Sequence, residues 1–270
     1  LAVIFNADQL DDAEMQAIAN WTNLAETTFL LKPTHTEADY RVRIFTTQKE
    51  IAFAGHPSIG SAHAWLSRGI TAKSQGVIVQ ECQAGLLPIR HQPNLANNQL
   101  SVRVPSSRLV RFADNTDQTL INALPEASWT ALKPALVEGG RRWWLAQLAD
   151  EASVRNFSPD AFAIKKLADE TDSLGLCIFS ARDNPDIGLV VRAFPLGVGI
   201  AEDPASGAAN AAIAAFLNET KSLALLGQSY TVSQGREISR DAILSLEIDK
   251  DQNVWVGGST QTVVQGILNW

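Results

Sequence analysis

Two runs of eight residues hold side chains whose types and spacing could do chemistry. Phe53-Ala54-Gly55-His56-Pro57-Ser58-Ile59-Gly60 and Glu202-Asp203-Pro204-Ala205-Ser206-Gly207-Ala208-Ala209 each combine small residues, a proline and a titratable group. A turn of Gly and Ala lets a ligand come close to the backbone. Where such a turn opens into a helix, unpaired N–H groups and the positive end of the helix dipole make a ready site for a carboxylate or phosphate. Two such turns facing each other would grip a small anionic metabolite from both sides.

Each candidate has a plain reading beside the functional one. Asp203 precedes a proline and a helix start, where Asp is favoured as an N-cap, and Ser206 fits the same job. The ring of His56 can bond nearby backbone and steady its turn. Glu26, between a helix and a strand, reads on its own as a solvated connection. Glu50, next to Lys49, reads as a strand end or a rival base. Cys82 and Cys177 form no CxxC pair and read as small buried hydrophobes. His35, His63 and His91 lack metal-ligand spacing, and Gly139-Gly140 lacks the context of a nucleotide loop. Trp143-Trp144 reads as core and rim. Neither a metal nor an organic cofactor is expected.

The elements that must position these groups follow from periodicity. Met15, Ile18 and Trp21 recur at helical spacing, so 11–21 is a helix capped by Asp11 or Asp12. Strands are expected over 27–31, 40–46, 76–80 and 86–90, a turn over 54–60, and a helix of small residues over 61–66. In the second half, 142–148, 176–181 and 187–194 read as strands, and 159–169 and 207–217 as helices. Strands at 230–232, 243–248, 254–256 and 261–268 close the chain. The halves share a pattern: V-R-x-F, five residues, then I-A occurs from Val42 and again from Val191, 149 residues later. Each copy leads into a Pro/Gly-containing turn and a helix ending in an aromatic residue and Leu, at Trp65-Leu66 and Phe216-Leu217. The same order of strand, turn and helix after both copies reads as a duplication. The polar run Asp114-Asn115-Thr116-Asp117 is the expected boundary, giving domains of residues 1–113 and 114–270, with the last strand able to return to the first domain.

At the two turns a family resemblance appears. The first run resembles the F-A-G-H-P-x-x-G signature of the PhzF-like (phenazine biosynthesis isomerase-like) family. The second resembles its E-D-P-A-T-G-S-A signature, with Ser206 for Thr. Asn23-Leu24-Ala25-Glu26-Thr27-Thr28-Phe29 resembles N-L-S-E-T-x-F, and Gln234-Gly235 with Arg240 resembles Q-G-x-x-x-x-R. The resemblance implies an α+β fold of the diaminopimelate epimerase type: two similar domains, each a curled antiparallel sheet around a central helix, with the active site between them. It implies that Glu26 is the catalytic proton carrier and that Asp203 binds or polarises the substrate as its catalytic partner. Gly55 and Gly207 are then substrate-binding through backbone donors, with His56 in the site wall and Ser206 and Ala208 in the second turn. Ala208 stands where the family has a Ser that touches substrate in the phenazine enzyme. The family also carries a strand with an F-x-G-N-P motif before the point matching Leu1. The epimerases of this fold use one cysteine in each turn, where this chain has Ala54 and Pro204, so a two-thiol mechanism is not expected.

The 270 residues suit two domains of about 130 residues each. With 46% hydrophobic and 19% charged residues the composition is that of a folded globular protein. A net charge of −7 argues against nucleic acid or an anionic membrane as partner, since both need a basic footprint. No run of about 18 apolar residues offers a membrane helix. The opening residues lack a basic leader and an initiating Met. The two cysteines fit reduced thiols and a cytoplasmic setting, and the resemblance implies a homodimer. The reading is a cofactor-independent isomerase that moves a proton within a small carboxylate-bearing metabolite. The alternatives are an amino-acid racemase or epimerase using a Glu/Asp pair, and a metabolite-binding protein without catalysis.

Overall fold

A computed structural model describes residues 1–91, 99–182 and 188–270. The chain divides into two compact units, Leu1–Arg103 with Gly257–Trp270, and Val104–Val256. Unit 1 contains β1 (Ala2–Ile4), α1 (Asp12–Thr22), β2 (Thr27–Leu31), β3 (Tyr40–Phe45), β4 (Glu50–Ile51), α2 (Gly55–Leu66), β5 (Val77–Cys82), β6 (Gly85–His91) and β7 (Leu100–Arg103). Its strands lie in the order β1-β2-β3-β5-β6-β7, with β4 on β3. The β1–β2 and β3–β5 pairs are parallel, and β2–β3, β5–β6 and β6–β7 are antiparallel. α2 packs against β1, β2, β5 and β7, which include both ends of that order. A sheet whose two ends reach one helix must curl around it.

Unit 2 repeats the plan. It contains β8 (Arg108–Phe112), α3 (Gln118–Ala123), β9 (Ala135–Gly139), β10 (Arg141–Gln147), α4 (Glu151–Arg155), α5 (Ala161–Thr171), β11 (Leu176–Ala181), β12 (Leu189–Phe194), α6 (Gly207–Glu219), β13 (Ser229–Gln234), β14 (Ala242–Ile248) and the start of β15 (Val254–Gly258). The strands run β15-β14-β13-β12-β11-β10-β9-β8. The sequence of pairings parallel, antiparallel, parallel, antiparallel recurs: β1, β2, β3, β5, β6 in unit 1 match β10, β11, β12, β13, β14 in unit 2. Strands 42–45 and 191–194 therefore occupy equivalent places, each followed by the helix at the centre of its unit. α6 packs against β8, β9, β10 and β14. It buries Ala209, Ala211, Ala212, Ile213, Ala214, Phe216 and Leu217, an apolar surface on nearly every side, as a helix enclosed by strands requires. The fold is thus the expected α+β duplication, but the sheets are mixed rather than antiparallel as expected, because each central helix joins two parallel neighbours.

Three boundaries differ from the sequence reading. Residues 55–60 are the first turns of α2 rather than a turn before it. Pro57 is the third helical residue, where its missing N–H and fixed φ cost nothing. The division between units falls at Arg103/Val104, not after Ala113, because β8 pairs with β9 inside unit 2. The polar run is a local turn there: Thr116 N–H and hydroxyl both donate to Asp114, while Asp117 grips Arg111 through two hydrogen bonds. Residues 261–268 form no strand. The stretch is β-branched, but a strand exists only by pairing, and Val263, Val264 and Ile267 stand exposed. The expected start at residue 187 of the strand now seen as β12 lies outside the described residues. Among the described residues no helix is long and apolar enough to cross a membrane.

Candidate active site

In unit 1 the loop that carries Glu26 is built by the end of α1. A reciprocal capping box starts that helix: Glu14 N–H donates to Asp11 Oδ1 at 2.9 Å, and Asp11 N–H to Glu14 Oε2 at 2.9 Å. Met15, Ile18 and Ala19 bury its inner face. The helix stops at Asn23, which takes a left-handed conformation (φ 51°), a role Asn tolerates better than most residues. Thr22 and Thr27 hydroxyls, 2.8 Å apart, stitch the loop shut. Thr27 and Thr28 are fully buried, and Ser61 of α2 donates to Thr28 at 2.9 Å. Glu26 is therefore fixed between two anchored ends, with its carbonyl accepting from Ala2 N–H at 3.3 Å.

The Glu26 carboxylate meets the start of α2. His56 Nε2 lies 3.0 Å from Glu26 Oε2, with side-chain exposures of 35% and 13%. The approach is off the line that a hydrogen bond needs, so this buried Oε2 accepts no hydrogen bond among the described residues. The contact leaves a lone pair of Oε2 open. His56 and Gly55 are the second and first residues of α2, and Ser58 N–H already closes onto Ala54 O at 3.2 Å. Pro57 has no N–H. Among the described residues, the free donors of this helix start are then those of Gly55 and His56.

Unit 2 builds its own turn on the second motif. Asp203 N–H donates to Ala193 O at 2.9 Å, which ties the motif to β12. Asp203 Oδ1 accepts from Ala205 N–H at 3.0 Å, folding the turn on itself. Ser206, not Asp203, is the N-cap of α6, its hydroxyl accepting from Ala209 N–H at 3.4 Å. Asn210 N–H closes onto Ser206 O. Gly207 and Ala208 are left as the first two residues of α6, matching Gly55 and His56 of α2. Ala208 thus holds the helix position that His56 holds in the other unit, and adds no side-chain function to it.

The remaining candidates have structural work. Glu50 forks onto Arg43, Nε to Oε1 at 2.8 Å and an Nη2 to Oε2 at 2.6 Å. Arg192, equivalent to Arg43, does the same to Glu202 at 2.9 and 2.8 Å. The arginine of each V-R-x-F copy therefore holds the chain that leads to its helix start. Cys177 is wholly buried in β11, and burial, then the charge of Asp203, pushes its thiol pKa far up. Burial likewise raises Cys82. Neither thiol is set up as a thiolate nucleophile or base. Sequence reasoning missed Gln234 and Asn210 as members of the site, although the Q-G motif had marked the first.

The duplicated plan, a curled sheet around a central helix with a candidate carboxylate near each helix start, defines the α+β class of this fold. The family model described as phenazine biosynthesis-like protein matches residues 1–266, and the chain belongs to that family. It is 33% identical over 274 residues to antisense-enhancing sequence 1 of Schizosaccharomyces pombe, covering 98% of this chain and 92% of that one. It is 28% identical over 277 residues to the trans-2,3-dihydro-3-hydroxyanthranilate isomerase of Pseudomonas chlororaphis, covering 99% and 92%. The crystal structure of a phenazine biosynthesis protein of the PhzF family from Bacillus anthracis superposes with a TM-score of 0.78 at 21% identity, covering 95% of this chain and 89% of that one. The protein is an isomerase of the PhzF-like family.

Proposed function

We propose that this isomerase moves a proton within a small, carboxylate-bearing metabolite without a cofactor, Glu26 serving first as base and then as acid. The carrying observation is the buried Glu26 Oε2, which accepts no hydrogen bond among the described residues and lies 3.0 Å from His56 Nε2. A carboxylate oxygen with an open lone pair can receive a proton from carbon and return it at a second position, so the reaction is balanced within one molecule. In each unit the start of the central helix offers an N–H pair that suits an anionic group of a substrate, Gly55–His56 near Glu26 and Gly207–Ala208 near Asp203. Ala208 leaves room where a Ser would bond, which favours a substrate that differs there from the one named for the Pseudomonas relative. A cytoplasmic location fits the two unpaired cysteines, and a homodimer fits the exposed Trp21, Val263, Val264 and Ile267.

The test is a metabolite screen by thermal shift, with trans-2,3-dihydro-3-hydroxyanthranilate among the compounds, followed by NMR in deuterated water. Glu26→Gln keeps the shape and removes the base. Turnover of a hit should fall at least ~100-fold, the lower range for one acid–base group. Full turnover by Glu26→Gln sinks the mechanism. Deuterium at a stereocentre with no double-bond shift identifies a racemase or epimerase instead, and binding without exchange identifies a binding protein.

A further inference from the structure

Behind the Asp203–Ser206 turn lies a pair of buried side-chain amides that the proton transfer does not use. Gln234 ends β13, and Asn210 is the fourth residue of α6; they are 0% and 1% exposed. Gln234 Nε2 donates to Asp203 O at 2.7 Å. Gln234 Oε1 accepts from Ser206 N–H at 3.3 Å and from Asn210 Nδ2 at 2.8 Å. Asn210 Nδ2 also donates to Ser206 O at 2.8 Å. Gln234 thus spends both ends of its amide on the motif that carries Asp203. The next residue, Gly235, has φ +82°, and a Cβ there would sit 2.5 Å from Pro204 O, so the two loops touch with no side chain between them.

Unit 1 contains the counterpart. Gln80 lies in β5, the strand that follows α2 as β13 follows α6, and Ser58 is the fourth residue of α2. Gln80 Nε2 donates to Ser58 Oγ at 3.0 Å, Ser58 Oγ donates to Ala54 O at 2.9 Å, and Tyr40 donates to Gln80 Oε1 at 3.2 Å. Both units therefore tie the start of the central helix to a buried glutamine on the returning strand. The difference is informative. In unit 1 the amide reaches the helix through Ser58 alone. In unit 2 it also takes a backbone carbonyl and a backbone N–H of the motif itself, at Asp203 and Ser206.

We propose that Gln234, with Asn210, is a positioning residue: it fixes the Asp203 carbonyl and the Ser206 N–H, and so sets the direction of the Asp203 carboxylate and of the donors at Gly207 and Ala208. The proposal rests on the reading of this turn as a substrate clamp. The Gln234 amide, buried and bonded at both ends, is rigid, because rotating it would leave polar groups unsatisfied in a dry interior, and Asn210 is held through its Nδ2 alone. An apolar residue at 234 frees the turn to move without touching the reacting atoms.

The experiment compares Gln234→Leu, Asn210→Leu and Asn210→Ser with the wild-type protein. The last puts the side chain of unit 1 into unit 2, where a hydroxyl can still donate to Ser206 O as Ser58 does to Ala54 O. Amide exchange is followed residue by residue, and turnover is measured on trans-2,3-dihydro-3-hydroxyanthranilate. Gln234→Leu and Asn210→Leu should speed exchange at Ala205 and Ser206 at least tenfold and leave residues 211–217 and unit 1 near wild type. KM should rise by more than kcat falls, and Asn210→Ser should stay within about twofold of wild type in every readout. Unchanged exchange across residues 203–208 in Gln234→Leu overturns the proposal. So does loosening throughout unit 2 with Asn210→Ser no better than Asn210→Leu, which is the behaviour of an ordinary core residue. Local loosening alongside a wild type inert on this compound supports the latch and counts against that substrate alone.

Discussion

Arg192→Met is expected to be the most damaging single change outside the candidate catalytic groups. Arg192 and Glu202 are 7% and 8% exposed in their side chains and joined by two parallel hydrogen bonds. The remaining Arg192 nitrogen donates to Phe157 O at 2.6 Å, just past the end of α4. Methionine matches the bulk but leaves the Glu202 carboxylate buried without its partner and the carbonyl of Phe157 without its donor. Breaking a buried pair in this way costs about 3–5 kcal/mol, because the surviving charge keeps its full desolvation penalty. For a folding unit of this size each kcal/mol lowers Tm by roughly 2–4 °C, so scanning calorimetry should show a drop of roughly 6–20 °C. The equivalent change in the other unit, Arg43→Met, should cost only about 1–2 kcal/mol, since Asp12 is 85% exposed and Glu50 has some solvent. The double variant Arg192→Met/Glu202→Met removes both charges and should recover most of the loss. The reasoning fails if Arg192→Met costs less than about 1 kcal/mol, or if the double variant is no more stable than the single one.

Two further outcomes follow from the geometry. Gly235→Ala forces a Cβ to within 2.5 Å of Pro204 O on a backbone at φ +82°, so urea unfolding should report a loss of roughly 1–3 kcal/mol. The Asp249 carboxyl is held down to about 2, first by the hydrogen bond from Trp255 and then by those from Asn253 and Asp251. Its pKa is depressed on folding, so its contribution to stability is complete above pH ~4 and is lost as pH falls toward 2. Asp249→Asn should flatten that acid limb in a series of unfolding midpoints, and an unchanged limb would place the acid sensitivity elsewhere.

How much of this was legible in the sequence depended on how local the cause was. β2 at Thr27–Leu31 and β11 at Leu176–Ala181 coincide with their apolar runs, and α1 begins where Asp11 and Glu14 can cap reciprocally. The duplication showed in V-R-x-F because the same arginine does the same job twice. The start of α2 was misread because Gly and Pro break helices in general, whereas the first turn accepts both. The unit boundary was misread because Asp114 and Asp117 look like a linker until Arg111 is seen in the grip of Asp117. Glu26 had no signal in its own neighbourhood, and only the family pattern singled it out. Gln234 acts on partners 24 to 31 positions away, and Asn210 joins it to Ser206. Their role is created by the crossover from α6 to β13, and no spacing rule along the chain anticipates it.

The return of residues 257–270 to unit 1 has a consequence for how the protein is made. Leu268 packs on the cluster of Met15, Ile18, Phe29 and Phe45. A ribosome adds about 5–20 residues a second, so after residue 103 emerges the 153 residues of unit 2 take roughly 10–30 s to follow. During that interval unit 1 is short of its final segment, with the Leu268 seat on its core open to water. Unit 2 is contiguous and can finish first. The unit bearing Glu26 would then be the last to close its core, and a chain stalled late in synthesis would carry a finished unit 2 and an unfinished unit 1.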